Sequence, residues 1–277
     1  MWGIEMGIAA MALAAAAALA CLAAALIKPN RRRIDRLPVQ FFAHRGLHGP
    51  GVPENSLAAF AKAKELGFGV ELDVQLTKDG RIVVFHDATL NRMCGVSAKV
   101  SEMTYDELTR YSLAGSDQHI PLLEDVLDLL GGVPVICEIK PYNGNANPVL
   151  CELVCKAIAG YPGPVWIESF SPLIVRWFKV NRPDIIRGQL SMDFVARREG
   201  LGLHEAFLMK HLLVNALGRP DFIAYRHNDR AWGFSLCRRL FRPHCLAWTV
   251  RDPALFDGLK DSFDGFIFEK RLLDAEE

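Results

Sequence analysis

Phe41-Phe42-Ala43-His44-Arg45-Gly46 is followed, after one helical segment, by Glu71-Leu72-Asp73-Val74. The first run is short and apolar and ends in a basic pair and a glycine. The second sets two carboxylates two residues apart in an apolar background. Residues spaced by two on a strand share a face, so Glu71 and Asp73 converge on one point. Carboxylates aimed at one point repel each other unless a cation sits between them. A hard cation beside a histidine and an arginine suggests phosphate-ester chemistry.

Outward from these runs, strand candidates recur at 39–44, 69–76, 134–140, 165–170, 185–191, 222–227, 245–250 and 264–269. Most are continuous apolar segments, the pattern of parallel strands buried on both faces. Helical segments lie between them at 55–67, 121–130, 147–160, 171–181, 203–217, 231–241 and 252–262. Asn55 and Ser171 read as N-caps, and Pro121, Pro172 and Pro253 suit first turns. This α/β alternation predicts a (β/α)8 TIM barrel. An open doubly wound sheet is the competing arrangement, weakened because no Gly-rich nucleotide fingerprint follows the first strand. A small hairpin and helix insertion interrupts the alternation after strand 2. Thr77-Lys78-Asp79-Gly80 reads as a hairpin turn, Arg81 to Phe85 as the returning strand, and Ala88 to Ile120 as an excursion with a helix near 104–111.

The chain has 277 residues, with 32 Lys plus Arg balancing 32 Asp plus Glu. That balance argues against bulk nucleic-acid binding. The charge is uneven, however, and Met6 to Ile27 carries none. This Ala- and Leu-rich run is long enough to cross a bilayer as one transmembrane helix. A cleaved signal peptide would carry a basic residue before the run; here the only charge is Glu5. The residues before Cys21 match a lipobox poorly. Lys28, Arg31, Arg32, Arg33 and Arg36 follow the span, opposed only by Asp35. Basic flanks stay cytoplasmic and attract anionic lipid. The expected organisation is therefore an anchor at 1–28, a basic linker at 29–38 and a cytoplasmic catalytic barrel at 39–277, in a single-pass protein of the cell membrane. Leu201 to Leu217 is apolar almost all round. It reads as a barrel helix with a wide buried face or, alternatively, as a segment that dips into the bilayer. The seven cysteines show no disulfide or zinc pattern.

In a parallel barrel, functional groups collect at the C-terminal ends of the strands. Those ends carry His44-Arg45, Glu71 and Asp73, His86-Asp87, Glu138 to Lys140, Glu168 to Phe170, Trp248 and Glu269. Burying such groups without partners costs several kcal/mol each, so a metal and a ligand are their natural partners. His119, His204, His211 and His244 read as packing or surface residues.

The ordered run HRG, PENSLAAF, ELDVQLTKDGRIVVFHDATLNR, IPLLEDVLDLL and EIKP resembles the glycerophosphodiester phosphodiesterase family, densely from His44 to Pro141 and thinly through Trp248-Thr249-Val250 and Asp264 to Ile267. The resemblance implies a TIM barrel that hydrolyses glycerophosphodiesters to an alcohol and glycerol 3-phosphate. It implies that Glu71, Asp73 and Glu138 hold one divalent ion, calcium or magnesium (Ca2+ or Mg2+). It implies that His44 and His86 form the acid–base pair, in an order left open, while Arg45 and Lys140 bind phosphate oxygens. Glu54 is expected to orient the site or touch substrate, Asn55 to cap the helix, and Asp87 to support its turn. Phe170 and Trp248 are expected to line the alcohol pocket or to pack at the mouth. Arg251 stands where the family often has Asn, and Phe268-Glu269-Lys270 replaces a common Thr-Asp-Pro. These departures touch leaving-group preference more than the metal. The membrane span makes a lysophospholipid or another glycerolipid diester a second substrate expectation. A metal-free two-histidine phospholipase is disfavoured by the three carboxylates, and an inactive membrane-tethered lipid-binding protein by retention of the whole residue set.

Overall fold

A computed structural model describes residues 2–30, 34, 38–141, 146–198, 200–229 and 231–269. The basic cluster Arg31 to Arg33 and Arg36, with Asp35 and Lys270, lies outside the described residues. The strands are β1 (Phe41–His44), β2 (Gly69–Leu76), β3 (Ile82–Val84), β4 (Val135–Ile139), β5 (Val165–Ser169), β6 (Arg187–Ser191), β7 (Phe222–Arg226), β8 (His244–Val250) and β9 (Gly265–Phe268). The sheet runs β1-β9-β8-β7-β6-β5-β4-β2-β3, and β1 also pairs with β2. That extra pairing closes eight parallel strands into the expected barrel and excludes the open sheet. β3 lies antiparallel on β2, with Leu76 opposite Ile82, as the hairpin reading predicted.

Alternate residues of the strands build two apolar layers. Val135, Cys137 and Ile139 of β4 point outward to the helices, whereas Ile136 joins Phe42, Trp166, Leu190, Phe222, Ala224, Leu246 and Ile267 inside the barrel. Gly188 has a packing reason. A Cβ there would come within 2.2 Å of the Phe222 ring, so its absence lets Phe222 lie across the interior. Trp166 packs on Phe222 with ring centroids 5.2 Å apart, and these rings floor the mouth.

The helices are α1 (Trp2–Ile27), α2 (Leu57–Glu65), α3 (Asn91–Cys94), α4 (Tyr105–Leu108), α5 (Leu123–Leu130), α6 (Pro148–Ile158), α7 (Pro172–Asn181), α8 (Leu203–Lys210), α9 (Asn215–Gly218), α10 (Trp232–Phe241) and α11 (Phe256–Leu259). Three expectations change. Pro121 lies outside the first turn, because α5 begins at Leu123 with Leu122 at its N-cap. The helix predicted over 203–217 is broken at 211–214, where Leu212 has φ 58°. The cause is tertiary: α10 approaches so closely that a Cβ on Gly233 would lie 1.9 Å from the His211 carbonyl oxygen. The cap of α2 is Ser56, whose hydroxyl accepts from the Ala59 N–H, and not Asn55.

The insertion has its own apolar cluster, including Val83, Phe85, Leu90, Met93, Val100 and Leu108, which fixes the segment carrying His86. Helix α1 includes one segment, Ile4–Ile27, long and apolar enough to cross a bilayer, and nearly all of it is unburied. Among the described residues of α1, the last turn docks on the barrel. The Ile27 carbonyl accepts from Asn215 Nδ2 at 2.9 Å, and the Ala25 and Lys28 carbonyls accept from Arg219 Nη1 at 2.9 and 2.7 Å.

Candidate active site

Strand register brings the sequence-distant carboxylates together. His44 lies opposite Glu71, and Asp73 opposite Glu138. Glu71, Asp73 and Glu138 are 2%, 1% and 6% exposed, and each offers an oxygen within 4.8 Å of the others. Lys140 Nζ spans Asp73 Oδ1 at 2.8 Å and Glu138 Oε1 at 2.7 Å. Arg45 Nε lies 3.3 Å from Asp73 Oδ2, its backbone N–H donates to Glu71 Oε2 at 3.0 Å, and Asn55 Nδ2 donates to Asp73 Oδ2 at 2.9 Å.

The electrostatics are asymmetric. Burial opposes ionisation of Asp73, but Lys140 and Arg45 outweigh it and hold the carboxyl well below its ordinary value. Burial and then the neighbouring Asp73, Glu168 and Glu138 push Glu71 well above its own. Burial also raises Glu138, despite Lys140. The cluster is thus short of positive charge. Three buried carboxylates with converging oxygens fit a hard divalent cation, which would supply it.

Each histidine is held by a carboxylate that is itself held by an arginine. His44 Nδ1 meets Glu269 Oε1 at 2.9 Å, and Arg251 donates to both Glu269 oxygens at 2.6 and 2.9 Å. His86 Nδ1 meets Asp87 Oδ1 at 2.7 Å, and Arg92 Nε donates to Asp87 Oδ2 at 2.7 Å. A carboxylate on Nδ1 orients the ring and leaves Nε2 to face the site. His44 Nε2 lies 4.0 Å from Glu71 Oε2. Burial depresses the His44 pKa to about 4, and burial lowers that of His86 as well.

Glu54 bridges the network, accepting from Arg45 Nη1 and Arg92 Nη2, both at 2.7 Å. Burial opposes its ionisation, but these arginines hold its carboxyl down at about 2. Beside His86, Glu138 and Lys140 opens a pocket of about 650 Å3 whose far wall is Phe170, Leu173, Phe194, Leu201, Leu208 and Met209. Phe170 lines it directly. Trp248 packs behind Phe170, edge to face at 5.5 Å, and is not among the lining residues.

Three roles differ from the sequence expectations. Asn55, at φ 54°, steadies Asp73 and caps nothing. Asp87 does more than support a turn, since it holds His86. Glu269, read as a departure at the end of the last strand, is the partner of His44. Arg92 carries no signal in the sequence, because its exposed helical position resembles that of any surface arginine. From the sequence Glu168 reads only as a strand end, and its one signal is a lone carboxylate inside the apolar strand VWIES. Two of the other histidines are structural: His211 stacks on Trp232 at 4.7 Å, and His244 bonds the Ile34 carbonyl; His48 instead lies at the site, with a ring nitrogen within 4.8 Å of His44 and Glu269.

The sequence profile of the glycerophosphoryl diester phosphodiesterase family matches residues 44–267. A glycerophosphodiester phosphodiesterase of Caldanaerobacter subterraneus is 38% identical over 159 residues, covering 53% of this chain and 65% of that protein. Lysophospholipase D GDPD1 of Rattus norvegicus is 32% identical over 168 residues, covering 55% of this chain and 52% of the relative. The chain thus spans about half to two thirds of the length of these relatives. Among solved structures, an Oleispira antarctica phosphodiesterase in complex with the product sn-glycerol-3-phosphate superposes with a TM-score of 0.70 at 22% identity, over 86% of this chain and 95% of that one. A Thermotoga maritima glycerophosphodiester phosphodiesterase gives 0.65 at 25% identity, over 87% and 99%.

The depressed His44 pKa makes a stability prediction. The folded state binds fewer protons than the unfolded state between about pH 6.5 and 4, so stability is present above that window and is lost as pH falls through it. The contribution is on the order of 3 kcal/mol. Metal-stripped wild type is expected to lose more stability over this range than a His44→Gln variant in urea unfolding. Parallel pH curves for the two would contradict it.

Proposed function

The chain belongs to the glycerophosphoryl diester phosphodiesterase family, and from that membership and the site geometry we propose that it hydrolyses glycerophosphodiesters to an alcohol and glycerol 3-phosphate, using a divalent cation and two histidines. The observation that carries this reading is the buried cluster of Glu71, Asp73 and Glu138, with His44 opposite Glu71 and His86 beside the pocket.

Glu71, Asp73 and Glu138 would hold the ion, calcium or magnesium by the chemistry of an all-oxygen set. When bound, it withdraws charge from the phosphodiester oxygens. Arg45 and Lys140 add fixed positive charge for the same oxygens. His44, neutral and oriented by Glu269, takes the proton of the attacking hydroxyl, from water or from the glycerol 2-hydroxyl. His86, which lines the pocket, gives a proton to the departing alcohol oxygen. If the 2-hydroxyl attacks, water then opens the cyclic phosphate with the two roles reversed.

A second reading is supported by the apolar wall of the pocket and by the relative named lysophospholipase D. A lysophospholipid would place its diester at the polar end and its chain along Phe170, Leu208 and Met209. The unburied α1 supports a membrane setting, with the barrel on the cytoplasmic side.

Chelator is expected to abolish release of choline from glycerophosphocholine, and calcium or magnesium to restore it; activity that survives chelation would remove the metal. His44→Ala and His86→Ala are each expected to lose about 100- to 10,000-fold. A substrate with a p-nitrophenolate leaving group should rescue only His86→Ala, because that group departs without a proton. Rescue of His44→Ala instead would reverse the roles. Leu208→Asp is expected to reduce kcat/KM on lysophosphatidylcholine about tenfold, the loss of one good apolar contact, and to spare glycerophosphocholine. Equal losses on both would reject a chain-binding wall. The full chain is expected to stay with membranes after carbonate extraction; release of uncleaved protein would refute the anchor.

A further inference from the structure

We infer that Glu168 belongs to the cation centre, as a fourth carboxylate beside Glu71, Asp73 and Glu138, and helps to set the affinity for a hard divalent cation. The inference rests on the metal-dependent reading above and adds a residue to its site.

The register places it there. β5 pairs with β4 so that Glu168 lies opposite Glu138, and β4 pairs with β2 so that Glu138 lies opposite Asp73. Paired residues on neighbouring strands project to the same face, so three successive strands present a carboxylate at one level of the barrel interior. On its other side Glu168 is opposite Gly188, which has no side chain to offer. Two positions earlier on the same face is Trp166, packed on Phe222. The apolar floor therefore lies on one side of the carboxyl and the acidic cluster on the other.

Glu168 is 1% exposed, and its Oε2 has no hydrogen-bond partner among the described residues. A buried polar atom left unpaired in a native fold needs a partner such as an ordered water or an ion, and the acidic cluster on this face is where an ion would bring both. Lys140 does not provide it, since its contacts are with Asp73 and Glu138. Calcium takes six to eight oxygens, more than three monodentate carboxylates supply. Glu168 stands outside the 4.8 Å group that the other three carboxylates form, so as a fourth carboxylate it contributes to that demand through a bridging water.

The test uses the metal-stripped full chain, with calcium chloride titrated by calorimetry at fixed pH. Glu168→Gln keeps the shape and removes the carboxylate. It is expected to bind calcium about 10- to 100-fold more weakly than wild type, the usual effect of removing a supporting group at a metal site. Equal affinity in a variant that melts normally in chelator overturns the inference and leaves the metal reading intact. Failure of the wild type itself to bind calcium or magnesium overturns both. If Glu168→Gln does not fold, Glu168→Ser is measured against the same criterion.

Discussion

Like-charged carboxylates buried at the mouth of a parallel barrel are the constraint around which this structure is arranged. Glu71, Asp73, Glu138 and Glu168 all lie within the barrel at 6% exposure or less. Two cationic side chains, Arg45 and Lys140, answer them directly. Their repulsion is strong because burial removes the screening that water would give. The neighbouring residues make sense in that light. Arg45 adopts a left-handed backbone at the end of β1 and thereby turns its N–H onto Glu71. Asn55 does likewise after the Pro-Glu pair and gives its amide to Asp73. Both spend backbone strain where a buried negative charge needs a donor.

The histidines are built on a common plan with different parts. His44 is held by Glu269 and Arg251 from the end of the barrel, and His86 by Asp87 and Arg92 from the insertion after β2. Glu54 then ties Arg92 to Arg45, so the second histidine is mechanically linked to the first strand end. The small apolar cluster of the insertion gives this arm a rigid base. An exposed ion pair contributes little to stability. Here the pairs matter for the orientation they impose on two rings.

Much of the site was legible from residue type and spacing. Glu71 and Asp73 had to share a face because the strand period is two, and Glu138 and Lys140 obeyed the same rule one strand over. His86 followed from a hairpin turn that sent the chain back to the strand ends. Asn55 departs from the cap its helix-start pattern predicts because that pattern is local, whereas the pull of Asp73 on its amide comes from another strand. The single helix expected over 203–217 failed for a related reason. Its composition favours helix throughout, and the break falls where Gly233 packs against the His211 carbonyl.

The sequence by itself determined the alternation of strands and helices, the three carboxylates, the two histidines and one long apolar segment near the N-terminus. These follow from short-range periodicity and side-chain chemistry. The tertiary structure alone decided that Glu269, 225 residues away, holds His44. It also placed Glu168 opposite Glu138 at the level of Asp73, and set an apolar wall against His86. Those relations depend on the stagger with which eight strands close. Stagger is a collective property of every strand pair, so no local stretch of the chain encodes it.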